Sequence, residues 1–233
     1  MQYRQCPKGR VPVAGGFLLD RWPDEGQPLL FINEIWCSPY AVNGAYSDDA
    51  SKPLLEEIRR RHALEGTPEA GRAGNRLFVR SFDDAQTSGS FALGALSWQV
   101  VAPTQEEADI PEPAQGEQRE SCNRTSLGIR WTVPVYGGEN HILLLGDATV
   151  DVLDRVHNTL LRDNPKALEW HVLLAPHHCA RRSLGYVDET GQEKEFTESE
   201  KALKVLENEA GNPVSPERSA ERRNTLNTVM REF

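Results

Sequence analysis

Two short apolar runs with a helix between them constrain this chain more than anything else in it. Ile142 to Leu145 stops at Gly146-Asp147, and Val172 to Ala175 stops at Pro176-His177-His178. Runs this short and this apolar suit strands buried on both faces. Between them, Ala148 to Arg162 carries Val152, Leu153, Val156, Leu160 and Leu161 at helical spacing. Strand, helix, strand predicts a parallel pair joined by a crossover. Asp147 and His177 then leave the same edge of one sheet, where open α/β sheets bind their ligands. A carboxylate and two imidazoles converging there have the donor chemistry for a divalent metal such as zinc. The competing reading of Asp147 is a cap on the helix that starts at Ala148. That of the histidines is a polar loop pair without a ligand.

Other elements are placed around this unit. Ser126 to Val135 alternates Leu127, Ile129, Trp131, Val133 and Val135 against polar or small residues, which predicts a strand with Pro134 at an edge or a bulge. Leu29 to Trp36, Arg76 to Phe82 and Phe91 to Ala102 read as strands, the last broken at Gly94. Ser51 to Leu64 reads as a capped helix with Leu54, Leu55 and Ile58 on its apolar side. Arg59, Arg60 and Arg61 are either a phosphate contact or a solvated face paired with Glu56 and Glu57, and the solvated face is preferred. Residues 104–120 are acidic and Pro-rich, and are expected to form a mobile surface insertion. Helices are expected over Glu198 to Glu209 and Ser215 to Phe233. Residues 1–28 carry loop chemistry.

The length of 233 residues fits a single domain. A net charge of −9 excludes a general nucleic-acid binder, while leaving room for a local basic patch. No run reaches membrane-spanning length. The four cysteines, Cys6, Cys37, Cys122 and Cys179, make no Cys-x-x-Cys pair, which points to reduced thiols and a cytoplasmic location.

Four linked elements carry a resemblance. Asn123-Arg-Thr-Ser-Leu127 is followed by the Tyr136-Gly-Gly-Glu139 turn, then Gly146-Asp147, then Pro176-His177-His178. This series resembles the later motifs of the metallo-β-lactamase fold, in the branch seen in the hydrolase-like domain of the competence DNA-uptake protein. The match covers residues 123–183. It implies an αββα sandwich and a metal-dependent hydrolase, with a phosphodiester or a small molecule as substrate. The fold's His-x-His-x-Asp-His loop has no counterpart here, and residues 1–28 and 211–233 are atypical for it. The chain is therefore expected to be incomplete at its N-terminus, with the missing ligands lost or supplied by another segment or chain. A non-catalytic remnant acting as a binding or scaffold module is the alternative.

Carried over position by position, the resemblance makes Asp147 and His177 ligands of zinc or another divalent metal. It sets His178 and Arg181 on the substrate side, as proton donor and phosphate contact. Asn123 would order the loop beside the metal. Cys179 replaces the family's usual glycine, and could act as an extra thiolate ligand or a nucleophile. His157 lies on the apolar side of its helix and reads as a satisfied core histidine. His62, His141 and His171 need no function.

Overall fold

The computed structural model describes residues 3–4, 29–30, 32–43, 52–91, 96–109, 122–186 and 196–207. The sequence readings for most of 1–28, for 110–120 and for 208–233 lie outside these. The chain is α/β and forms two compact units, Met1–Arg80 with Ile110–Glu117, and Ser81–Asp109 with Gln118–Phe233.

In the first unit, β1 (Tyr3–Arg4) pairs antiparallel with β2 (Leu29–Leu30), and β3 (Glu34–Cys37) pairs in parallel with β4 (Arg76–Val79). Helices α1 (Pro39–Asn43) and α2 (Lys52–His62) lie in the connection between β3 and β4. Its core joins Ile35, Cys37, Ala41, Val42 and Ile58, with Ile32, Leu77 and Val79 packed against them. Burial pushes the Cys37 thiol up to about 12, so it is an inert core group.

The face of α2 departs from expectation in two ways. Leu54, placed on the apolar side by spacing, is 43% exposed, whereas Leu55 and Ile58 are buried. The arginine triplet is not simply solvated either, because Arg61 is only 1% exposed. Its Nε donates to Glu57 Oε1 at 2.7 Å, Nη1 to the Arg76 carbonyl at 2.9 Å and Nη2 to the Ile32 carbonyl at 2.9 Å. Glu57 also accepts from Arg60 Nε (2.7 Å) and Nη2 (2.8 Å). Charge density at i, i+3 and i+4 reads as a wet surface, and only tertiary packing turned that face inward.

The second unit holds a five-stranded sheet in chain order: β5 (Ser88–Ser90), β6 (Ser97–Ala102), β7 (Gly128–Val135), β8 (Gly138–Leu144) and β9 (Val172–Leu174). The first four are antiparallel neighbours, and β8–β9 is parallel, as the crossover requires. The Tyr136-Gly137 turn joins β7 to β8, with Gly137 at φ +87°. Pro134 is opposite Glu139, past the last β6 partner at Thr132, so its missing N–H costs no ladder bond.

The crossover is α4 (Val150–Val156), continued by a π-helical turn over His157–Leu161. With α5 (Glu200–Leu206), it supplies Val152, Leu153, Val156, Leu203, Val205 and Leu206 to a core shared with Val101, Leu143 and Leu145. Full burial of each such aliphatic side chain contributes about 1.5–3 kcal/mol. A short hairpin, β10 (Gly185–Tyr186) with β11 (Thr197–Glu198), leads into α5.

The start of the stretch expected to be a mobile insertion is folded. Thr104 caps α3 (Gln105–Ala108) through a capping box with Glu107. Glu107 is 8% exposed and takes a two-pronged contact from Arg155, at 3.0 and 2.9 Å. That carboxylate is spent on the core rather than on solubility.

Removing the Arg61 head would leave the buried Glu57 to Arg60 alone and take the donor from the Ile32 and Arg76 carbonyls. Arg61→Ala is expected to lower stability by about 3–5 kcal/mol, the scale for breaking a buried pair. Urea unfolding monitored by circular dichroism checks it, and a loss below 1 kcal/mol would mean the pair is replaceable.

Candidate functional site

Gly146 decides how the chain turns off the end of β8. It sits at φ +57°, and a Cβ there would meet the Ser126 Cβ at 3.0 Å. With the chain so turned, the Asp147 N–H donates to Ser126 Oγ at 3.0 Å and the Gly146 carbonyl accepts from the His177 N–H at 3.0 Å. That last bond ties the segment after β8 to the segment after β9, so Asp147 and His177 leave the same edge, as strand direction predicts.

Asp147 does not cap the crossover helix. The N-cap position of α4 is Thr149, two residues further on, and the Thr149 hydroxyl bonds the Asp151 carboxylate. The capping explanation for Asp147 is thereby removed, and its side chain stays 40% exposed.

His177 and His178 both occupy the left-handed region, at φ +47° and +53°. Left-handed backbone costs a residue with a Cβ roughly 1–2 kcal/mol, and such strain clusters at functional sites. The two imidazoles come out differently. His177 Nε2 faces Asn123 Nδ2 at 3.2 Å, while its Nδ1 is buried with no hydrogen-bond partner. His178 is 88% exposed at the side chain, and its Nε2 lies 3.7 Å from Asp147 Oδ1, too long for a hydrogen bond but close enough for an ion pair when the ring is protonated. Asn123 therefore lies within hydrogen-bonding distance of the His177 ring.

Arg181 lies with its guanidinium 4.4 Å from the ring centroid of Phe196, a residue packed against the core of the second unit. The side chain of Cys179 is outside the described ones. Cys37 is a free, buried thiol.

Three features were missed by sequence reasoning. Ser126 orients Asp147, and its one signal was the Asn-x-x-Ser-Leu pattern. Asp154 on α4 accepts from the Tyr186 hydroxyl at 2.5 Å and from the Ser199 hydroxyl, which holds the Tyr186 phenol up to about 12. No local pattern announces a pairing over more than thirty residues. His157 is not the satisfied histidine that its spacing suggested, because its Nδ1 is buried without a partner.

His141 and His171, read as mere strand openers, meet at the other end of the parallel pair. Their rings are 5.5 Å apart, and the His141 N–H donates to His171 Nδ1 at 3.0 Å. Burial first, then the neighbouring Arg130 and His171, holds His141 below its ordinary value of 6.5.

The test of a metal at the sheet edge is the donor count. Among the described residues, no group of three or more His, Cys, Asp or Glu side chains is placed to hold an ion. A zinc centre takes at least three protein donors, and one ring nitrogen of His177 is already turned to Asn123. The described residues alone therefore do not fit a complete zinc centre. Comparison with known proteins finds no match to any family model, curated protein or solved structure.

Two outcomes follow from this geometry. Gly146→Ala is expected to cost about 1–2 kcal/mol in thermal unfolding from the left-handed backbone alone, and to disturb the Asn123 and His177 side-chain signals in NMR spectra. The lowered His141 value has a definite sign. The unfolded chain takes up this proton near pH 6.5 and the folded one only below it, so stability is lost as pH falls through that range. His141→Gln is expected to flatten the stability-versus-pH slope between pH 7 and 5, measured by urea titration at each pH.

Proposed function

We propose that the second unit carries part of a metallo-β-lactamase-type hydrolase site, with Asp147 and His177 as two metal donors and His178 and Arg181 towards a phosphodiester substrate. The observation that carries the reading is the placing of Asp147 beside His178, with the His177 backbone bonded to Gly146, just past the ends of two parallel strands and on a backbone strained at both histidines. A polar cluster with no structural task would not need two consecutive left-handed residues. A divalent metal, zinc first, would supply Lewis acidity to such a site. Its remaining donors would come from outside the described residues or from a second chain.

The side of the sheet away from α4 supports the finer αββα assignment. Directly opposed residues share a face. Trp98, Val100, Ile129, Trp131, Leu144, Val172 and Leu174 therefore line one side, opposite the helix-facing Leu143 and Leu173. An apolar second face suits a sheet packed against another sheet. No helix among the described residues is long and apolar enough to cross a membrane. The free thiol of Cys37 favours a cytoplasmic setting.

A second reading is a non-catalytic binding module, favoured by the donor count of two. One titration separates them. Metal-free chain titrated with zinc in a calorimeter is expected to bind weakly, and not to hydrolyse bis-p-nitrophenyl phosphate. A tight one-to-one site abolished by both Asp147→Ala and His177→Ala would place the full donor set in this chain and make it a complete hydrolase. Zinc binding indifferent to both substitutions would remove the metal reading and leave the binding module.

A further inference from the structure

The first unit carries a second concave surface, unrelated to the Asp147 site. A cavity of about 420 Å³ opens between the last turn of α2, the loop that follows it and β4. Small-molecule sites fall in the range of roughly 300–1,000 Å³. Its wall brings Arg61, Arg76 and Arg80 together with His62, against the single carboxylate of Glu65, and Phe78 contributes an aromatic ring. Arg61 is matched by Glu57, which leaves Arg76 and Arg80 as the cations of the wall beside Glu65, in a chain whose total charge is −9.

The cations are also held. Arg61 is fixed by its bonds to Glu57 and two carbonyls. The Arg80 guanidinium lies 5.3 Å from the Phe78 ring centroid and 5.8 Å from that of Trp36. Those two rings pack 5.0 Å apart. Arg76 is anchored by one atom, with Nε donating to the Gly71 carbonyl at 3.0 Å. Its Nη1 makes only a loose 3.8 Å approach to Glu34, and the side chain is 44% exposed. A planar guanidinium tied at Nε, on a side chain left partly exposed and only loosely held by Glu34, suits two-pronged contact with a phosphate. An aromatic ring already stacked with a guanidinium on one wall suits a planar heterocycle beside it. We propose that this cavity binds a nucleoside monophosphate or diphosphate, its phosphate on Arg76 and its base against Phe78 and Arg80.

The test is calorimetric titration of the full chain with AMP, ADP, adenosine and inorganic phosphate. Saturable binding of AMP or ADP, at least tenfold tighter than adenosine or inorganic phosphate, is expected. Arg76→Gln should weaken it at least tenfold. Arg80→Lys, which keeps the charge and loses the planar stack, should weaken it severalfold. Arg72→Gln, an exposed neighbour outside the cavity wall, should not change it. Equal affinity for inorganic phosphate and AMP would overturn the nucleoside assignment. No saturable binding by the wild-type chain would overturn the site, whatever the variants do. Full AMP affinity in Arg76→Gln, with an unchanged melting temperature, would also overturn it.

Discussion

The parallel pairing of β8 with β9 is the constraint on which the second unit rests. Parallel neighbours cannot be joined by a tight turn, so the chain must leave the sheet, cross one face and return. That return is α4 and its π turn, and the apolar side chains they carry become the core. Leu143 and Leu145 from β8 and Leu173 from β9 meet Val152, Leu153 and Val156 from the crossover. The same direction of travel also lines up the two strand ends. The bond from His177 to Gly146 extends the pairing by one link past the strands, and the candidate site is built on that link.

Much of this was legible because it was local or periodic. The crossover, its apolar positions, the alternation of β7 and the Tyr136-Gly137 turn all follow from spacing and turn chemistry. Asp147 and His177 could be placed at one edge from strand direction alone. What sequence could not give is the destination of charged side chains. Arg61 and Glu107 stand in charge-rich segments that look solvated. Each is buried because a carbonyl or a counter-ion distant in sequence receives it: Ile32 and Arg76 for Arg61, and Arg155 for Glu107. Single-residue exposure is a tertiary property, and helical periodicity carries no trace of it when the buried residue is an arginine.

The two units use charge in different ways. In the first, a buried cation ties α2 to both β3-side and β4-side backbone through the Ile32 and Arg76 carbonyls, so helix and strands are held by one head group. In the second, Glu107 does the same for a short turn, and it joins the α3 cap to α4 through Arg155 and the Val101 carbonyl. Both are anchors with several partners each, which is the condition under which a buried charge is tolerated. Neither lies at Asp147, where the side chains are more open to solvent.

The π turn at the end of α4 has an implication for chain length. Its wide hydrogen bond runs from the Arg162 N–H to the His157 carbonyl at 3.0 Å, enclosing one residue more than an α-helical bond would. This widening brings Leu161, five positions after the buried Val156, back towards the core, where it is 8% exposed. The exposed Asn158 and Thr159 take up the slack on the outside. Such a turn is the shape that a one-residue insertion leaves in a helix. Loss of either outer residue would bring Leu161 to the fourth position after Val156, the ordinary α-helical spacing, with its inward direction kept. The helix therefore carries a spare residue at this point, and length variation of one residue is accommodated here without changing which side chains face the sheet.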